Sequence, residues 1–458
     1  MDGTDLISSL DAMFLALEEG GVHMHVTTLL IFEAAPLLAA DGTLDVPRIR
    51  RYMAESVSAA PHFRQRLAWV PILQSPIWVD DASFDPDTQI RHAHLEAPGD
   101  ETQLKRAVGA ISSERLSRQR PLWELTILEG LSDGRFAMVL KIHHVMLDGR
   151  AGVEALAAFF GLVAAPQSSA PQIRHGAFEL VRRELARRVS AVRELGSWLR
   201  KSVALDGWHS LRELAQGVRV MLRTGLCSAS PTPLNPPRVS PRREVEWTSF
   251  PLAEARARRL DGATVNDVLL AAVTGMTRSY LSALGLAVST LDLRATVPVG
   301  IERSGGRTNA TVGVIAPLPI AEPTPSGRLR QVSKTMRTLK RSRQRDAMDL
   351  IGRISDIVSH RLLAEGLKAA IRHRPGSLVV SNVVGPPVAL SILGARLLAI
   401  YPFAPLNDTQ ALTLAFISYD GQLFSGLHAD PEAVGDLAVL RGHLGDAFAE
   451  LPTTAPLA

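Results

Sequence analysis

The stretch Phe136-Ala137-Met138-Val139-Leu140-Lys141-Ile142-His143-His144-Val145-Met146-Leu147-Asp148-Gly149 decides how this chain folds and works. Its apolar start follows Ser132-Asp133-Gly134, the pattern of a strand entered from a turn. Side chains alternate across a strand, so His143 and His144 are expected on opposite faces. His144 then lies with Phe136, Met138, Leu140 and Ile142, and His143 with Ala137, Val139 and Lys141. Only one ring can enter a given cavity, which argues against a shared metal and for a single working imidazole. To take a proton from a hydroxyl, that ring must be neutral, fixed in one tautomer and open to approach. An apolar setting supplies the neutrality by penalising the imidazolium. A lone strand histidine is ordinarily a satisfied core residue. A double histidine with Asp148-Gly149 following closely tips the balance toward catalysis.

The rest of the chain sets the context. Its 458 residues exceed one typical domain. Hydrophobic content of 46% and charged content of 21% suit a packed globular protein. One cysteine, Cys227, excludes an internal disulfide and a cysteine-rich zinc site. The acidic start Met1-Asp2-Gly3-Thr4-Asp5 lacks the pattern of a signal peptide, and no apolar run is long enough to span a bilayer. A cytoplasmic protein, soluble or peripherally attached to a membrane or lipid droplet, is expected.

Charge is unevenly spread. Between Arg174 and Thr224 there are eleven Lys/Arg against five Asp/Glu, a net +6 in a chain whose total is +4. Leu180, Leu185, Val189, Val192, Leu195 and Leu199 recur there at helical spacing between arginines. Two readings stand side by side: a basic amphipathic helix that meets an anionic lipid surface, or a solvated face on ordinary linking helices. Nucleic-acid binding is set aside, because no zinc-finger, RNA-binding aromatic or helix-turn-helix signature accompanies the arginines. The expected division is a first domain over 1–170, a basic helical connector over 171–242, and a second domain over 243–458. Strands alternate with helices in both halves, which makes the fold mixed α/β.

Matching blocks then run almost from end to end. They are Leu10-Asp11-Ala12-Met13-Phe14-Leu15 with Met24-His25-Val26, Phe63-Arg64-Gln65-Arg66-Leu67, Pro121-Leu122-Trp123-Glu124 and the HHxxxDG run His143–Gly149. Gly262-Ala263-Thr264-Val265-Asn266-Asp267-Val268, Val297-Pro298-Val299, Ser381-Asn382-Val383-Val384-Gly385-Pro386 and Ser418-Tyr419-Asp420-Gly421 follow. In this order the blocks resemble the bacterial wax ester synthase/acyl-CoA:diacylglycerol acyltransferases. That family belongs to a wider group with chloramphenicol acetyltransferase, plant BAHD acyltransferases and peptide-synthetase condensation domains. Thr308 ahead of Asn309, and Gly300-Ile301-Glu302-Arg303 after the Val-Pro-Val block, depart from the usual pattern.

The resemblance implies two chloramphenicol-acetyltransferase-like domains, each a mixed sheet flanked by helices, with a tunnel between them. It implies His144 as general base, His143 in support, and Asp148 with Gly149 shaping the motif loop. Arg64 is the candidate partner of Asp148. Acyl-CoA is the co-substrate, no cofactor is permanently bound and no metal is required. A lipid alcohol would be the acceptor, diacylglycerol or a long-chain fatty alcohol, giving triacylglycerol or wax ester. Asn266 and Asp267 have two roles open: orienting the substrate or oxyanion, or, for Asp267 with Thr264, capping a helix. Arg328, Arg330, Lys334, Arg337, Lys340 and Arg341 form a basic helix face that could meet coenzyme A phosphates or simply be solvated. The alternatives kept are the same chemistry on another lipid or polyketide-like alcohol, and a non-catalytic lipid-surface protein.

Overall fold

The computed structural model describes residues 6–18, 21–147, 160, 176–206, 228–260, 262–301, 310–341, 354–355 and 357–453. The first half contains α1 (Ser9–Leu17), β1 (His25–Glu33), α2 (Val46–Ala59), β2 (Gln65–Trp69), β3 (Pro76–Asp80) and β4 (Ile90–His94), then α3 (Glu101–Ser113), β5 (Trp123–Leu131) and β6 (Arg135–His143). A 30-residue helix, α4 (Ala177–Asp206), leads to the second half. There β7 (Glu244–Pro251), α5 (Leu252–Ala257), α6 (Val265–Ala283), β8 (Leu293–Ile301), β9 (Ala310–Leu318), α7 (Pro325–Arg341) and α8 (His360–Arg372) follow. The chain ends with β10 (Leu378–Val384), β11 (Ser391–Ile392), β12 (Ala395–Phe403), β13 (Leu412–Tyr419), β14 (Gln422–Ala429), α9 (Pro431–Val434) and α10 (Leu437–Ala449). The helix expected over 152–163 falls outside the described residues, apart from Phe160.

Two six-stranded mixed sheets carry the fold. One runs β11-β12-β1-β6-β5-β4 and the other β7-β14-β13-β10-β8-β9. Each is largely antiparallel with a parallel part, β4 on β5 in the first and β8-β10-β13 in the second. The halves are not separate along the chain, because β12 from the second half pairs antiparallel with β1. The division expected at residue 243 is therefore crossed by 391–403. Beyond β12 the sheets press together closely: a Cβ on Gly426 in β14 would fall 2.0 Å from the Pro402 carbonyl oxygen. Tyr401 stacks on Trp247 at 5.4 Å and meets Phe424 edge-on at 5.3 Å, closing the contact with aromatic surface.

Two apolar cores result, and α1 lies between them. Ala12 and Leu15 belong to the first core; Leu17, Val22 and Met24 belong to the second, with Met13 and Phe14 packed against it. The helix is started by Ser8, whose side chain accepts from the Asp11 amide. It packs on α8 and on the turn that follows β6. The histidine motif thus sits at the seam of both halves.

Candidate functional site

β6 ends at His143, and His144 opens a short 3-10 turn, His144–Met146. Strict alternation therefore stops one residue earlier than the sequence pattern suggests, and both rings are reached from α1. Phe14 stacks on His144, with centroids 4.0 Å apart. One turn further along, Glu18 lies 3.4 Å from His143 Nε2. The turn is fixed by main-chain bonds on either side. The His143 amide donates to Leu122 O at 2.9 Å, and the His144 amide donates to Met24 O at 2.7 Å. Pro121-Leu122-Trp123 thus forms a corner that pins the motif strand, and Trp123 Nε1 donates to Phe63 O at 2.8 Å behind it.

His144 is only partly covered, but its Nδ1 is sealed from solvent and has no hydrogen-bond partner among the described residues. Burial, helped by the neighbouring His143, pushes the imidazole down to about 4, while its own main-chain carbonyl pulls slightly the other way. The ring is therefore neutral at physiological pH, as a proton acceptor must be.

His143 is 1% exposed, and its Nδ1 accepts from the Val145 amide at 3.0 Å. That bond caps the turn carrying His144 and leaves Nε2 to hold the ring's proton. Below it lies a buried polar cluster that sequence reasoning missed. Glu18 accepts from the Met24 amide at 3.0 Å and contacts His25 Nε2 at 3.1 Å. Its other oxygen accepts from Arg118 at 2.8 Å, and the same guanidinium nitrogen donates to Leu15 O at 2.7 Å. Burial would raise the Glu18 carboxyl, but His143 and His25 outweigh it and hold the group well below the usual carboxylate range. Two glutamates, Glu18 and Glu19, stand together in the sequence, and no pattern there singles out the first.

The other expected residues sort themselves by place. Asp148 and Gly149 lie outside the described residues. Arg64 closes the 3-10 turn Pro61–Arg64, and its carbonyl accepts from the Asp81 amide at 3.0 Å. Thr264 and Asp267 form a reciprocal capping box at the start of α6: Thr264 Oγ1 accepts at 3.2 Å and Asp267 accepts at 2.8 Å. Asp267 is buried, and Asn266 beside it is half-buried. Arg328 turns inward to the carbonyls of Glu322 and Pro323 and to Glu450, so it is unavailable to a phosphate. Arg330, Lys334 and Arg337 remain on the exposed face of α7.

Comparison with known proteins fits this arrangement. Residues 7–269 match the family model of the wax ester synthase/diacylglycerol acyltransferase catalytic domain, and 308–452 match the WS/DGAT C-terminal domain. A probable diacylglycerol O-acyltransferase of Mycobacterium tuberculosis, tgs1, is 30% identical over 97% of this chain and 95% of its own length. A wax ester synthase/diacylglycerol acyltransferase from Marinobacter aquaeolei VT8 superposes with a TM-score of 0.67 at 26% identity, over 97% of this chain and 98% of that one. The first condensation domain of the calcium-dependent antibiotic synthetase, at 16% identity and TM-score 0.56 over the full length of both chains, shares the fold. The chain belongs to the wax ester synthase/diacylglycerol acyltransferase family, and it is an acyltransferase.

Proposed function

We propose that the enzyme moves a long-chain acyl group from acyl-CoA to a lipid alcohol, diacylglycerol in preference to a fatty alcohol, with His144 as general base. Nε2 takes the hydroxyl proton as the alcohol oxygen attacks the thioester carbonyl. The carbon–sulfur bond then breaks, and the proton passes to the leaving thiolate, so free coenzyme A and an ester result. No covalent enzyme intermediate is required. General-base assistance of this kind is worth about 10²–10⁴-fold. The observation that carries the reading is the neutral, partly open ring of His144, held between the two cores with one nitrogen sealed. A tunnel between the halves would let donor and acceptor reach it from opposite sides. Asn266, with the Thr264–Asp267 cap holding its turn, is a candidate for orienting the substrate, and Arg64 for pairing with Asp148.

The test is direct. Purified enzyme with palmitoyl-CoA and either dioleoylglycerol or hexadecanol should release thiol and form neutral lipid, triacylglycerol faster than wax ester. If a folded protein yields neither product, the substrate assignment fails.

A second reading concerns attachment. Phe178, Leu185, Val189 and Val192 are 82%, 49%, 50% and 53% exposed along α4. They fall within roughly 60° of the helix circumference, beside Arg182, Arg193 and Arg200. Such a stripe suits the surface of an anionic membrane or lipid droplet, where apolar side chains insert and arginines meet phosphates. Another side of α4 is fastened to the body by the buried Glu184, which accepts from Ser75 as well as from Arg187 and Arg188 of the same helix. Among the described residues no helix is long and apolar enough to cross a membrane.

A further inference from the structure

We infer that Glu18 is a positioning residue for His144, acting from the end of α1 through two separate arms. This rests on His144 as the base. One arm is main-chain: Glu18 accepts from the Met24 amide at 3.0 Å, and the Met24 carbonyl accepts from the His144 amide at 2.7 Å. The other runs through His143, whose Nε2 faces Glu18 at 3.4 Å and whose Nδ1 accepts from the Val145 amide at 3.0 Å. The residues on either side of His144 thus both reach one carboxylate, one through a hydrogen bond and the other through a 3.4 Å contact. Arg118, bonded to both Glu18 and Leu15 O, locks that carboxylate to the helix that also supplies Phe14 to the His144 ring.

Glu18, His25 and His143 also have the spacing of a three-ligand metal cluster. The hydrogen bonding speaks for positioning instead. A neutral imidazole that binds a metal through Nε2 must carry its proton on Nδ1, and Nδ1 of His143 already accepts from Val145. A metal there would set two N–H groups against each other and release the turn under His144.

A carboxylate in this place does two things. It keeps the His143 proton on Nε2, so that Nδ1 stays an acceptor for the turn. It also holds the Met24 backbone, just ahead of β1, at the distance that the His144 amide needs. Small misplacement of a reacting group costs rate steeply, about 10²-fold for 1 Å, whereas affinity for donor and acceptor is left alone.

The experiment compares wild type with Glu18→Gln, His143→Asn, their double variant and His144→Ala. Asn at 143 can still accept from the Val145 amide but loses the group facing Glu18. Glu18→Gln is expected to lower kcat about 10- to 100-fold with KM for palmitoyl-CoA within about twofold. The double variant should lose less than the product of the two single losses, because the second arm is shared. Unchanged kcat in Glu18→Gln, a loss confined to KM, or fully multiplicative single effects overturn the inference. If Glu18→Gln fails to fold, Arg118→Gln is read in its place, since Arg118 is partly exposed. It should lower kcat several-fold at constant KM, and an unchanged kcat counts against the inference. His144→Ala separates the two layers. Retained turnover there refutes the base itself, whereas a dead His144→Ala beside a fully active Glu18→Gln refutes only the positioning.

Discussion

Two hairpins in this molecule are built alike and end differently. In the first, β5 and β6 join through Ser132-Asp133-Gly134, with Asp133 and Gly134 both at φ 63°. In the second, β13 and β14 join through Asp420-Gly421, at φ 43° and 79°. Asp-Gly suits both because each turn needs left-handed backbone that glycine and aspartate tolerate. Each returning strand runs to a histidine at the seam between the sheets. His428 Nδ1 donates to the Ala404 carbonyl at 2.8 Å, and its ring meets Phe403 edge-on. Burial, with Arg243 nearby, pushes it down to about 3. His144 is pushed the same way, but its ring is partly open and no hydrogen bond reaches it from the described side chains. Burial makes both histidines neutral. On the proposed reading, what separates the reactive ring from the structural one is that it is only partly covered.

Removing each ring in turn separates the two roles most strongly. His144→Ala should cut turnover of palmitoyl-CoA by about 10²–10⁴-fold with an unchanged melting temperature. His428→Ala should keep kcat within about threefold but lose about 1–3 kcal/mol of stability from the broken bond and the emptied space, read by urea unfolding. The reverse pattern would mean the roles are exchanged. Acid provides a second contrast. His23 and His144 sit at about 4 and His428 at about 3 in the folded protein, against about 6.5 unfolded. The unfolded chain therefore binds more protons between these values, and stability must fall as pH drops from about 6.5 toward about 4. Over pH 6 to 8, kcat should be flat, because the base is already neutral. An inflection of kcat near 6.5 would show that the ring is ordinary and solvated.

Much of this site was legible in the sequence, and the missing parts have physical reasons. The strand over 135–143 and the Asp-Gly turns follow from local pattern, and the cap at Thr264–Asp267 follows from spacing alone. Strand β12 is not legible locally, because Pro402 lies within it and proline argues against a strand. The structure tolerates Pro402 because β11 pairs only with the start of β12, at Arg396 and Ala395, so no neighbouring strand needs its absent amide on that side. Its partner β1 lies about 370 residues away in the chain, a pairing that no local pattern encodes. Glu18 was missed for a related reason. A carboxylate three to four residues past an apolar helix face reads as a solvated helix end, and only the tertiary fold brings His25, His143 and Arg118 around it.

The stacking of Phe14 on His144 offers a finer test of what keeps the reactive ring in place. Phe14→Leu keeps apolar cover but loses the face-to-face contact at 4.0 Å. An aromatic pair is worth about 0.5–1.5 kcal/mol beyond its burial, so kcat should fall about two- to tenfold with little change in stability. An equal fall in His428→Ala would remove the contrast between the two rings.

The smallest effect on chemistry should come from α4, which touches neither histidine. Val189→Glu places a charge in the exposed apolar stripe while leaving Glu184 and its arginines intact. Flotation with phosphatidylglycerol vesicles should show reduced binding, and turnover of a short-chain acyl-CoA in detergent should stay within about twofold. Burying a carboxylate at a lipid interface costs a few kcal/mol, so a stripe that inserts must lose affinity on this change. Arginines acting without insertion would instead leave vesicle binding nearly constant in Val189→Glu and abolish it at high salt. That result would make the stripe an ordinary exposed face.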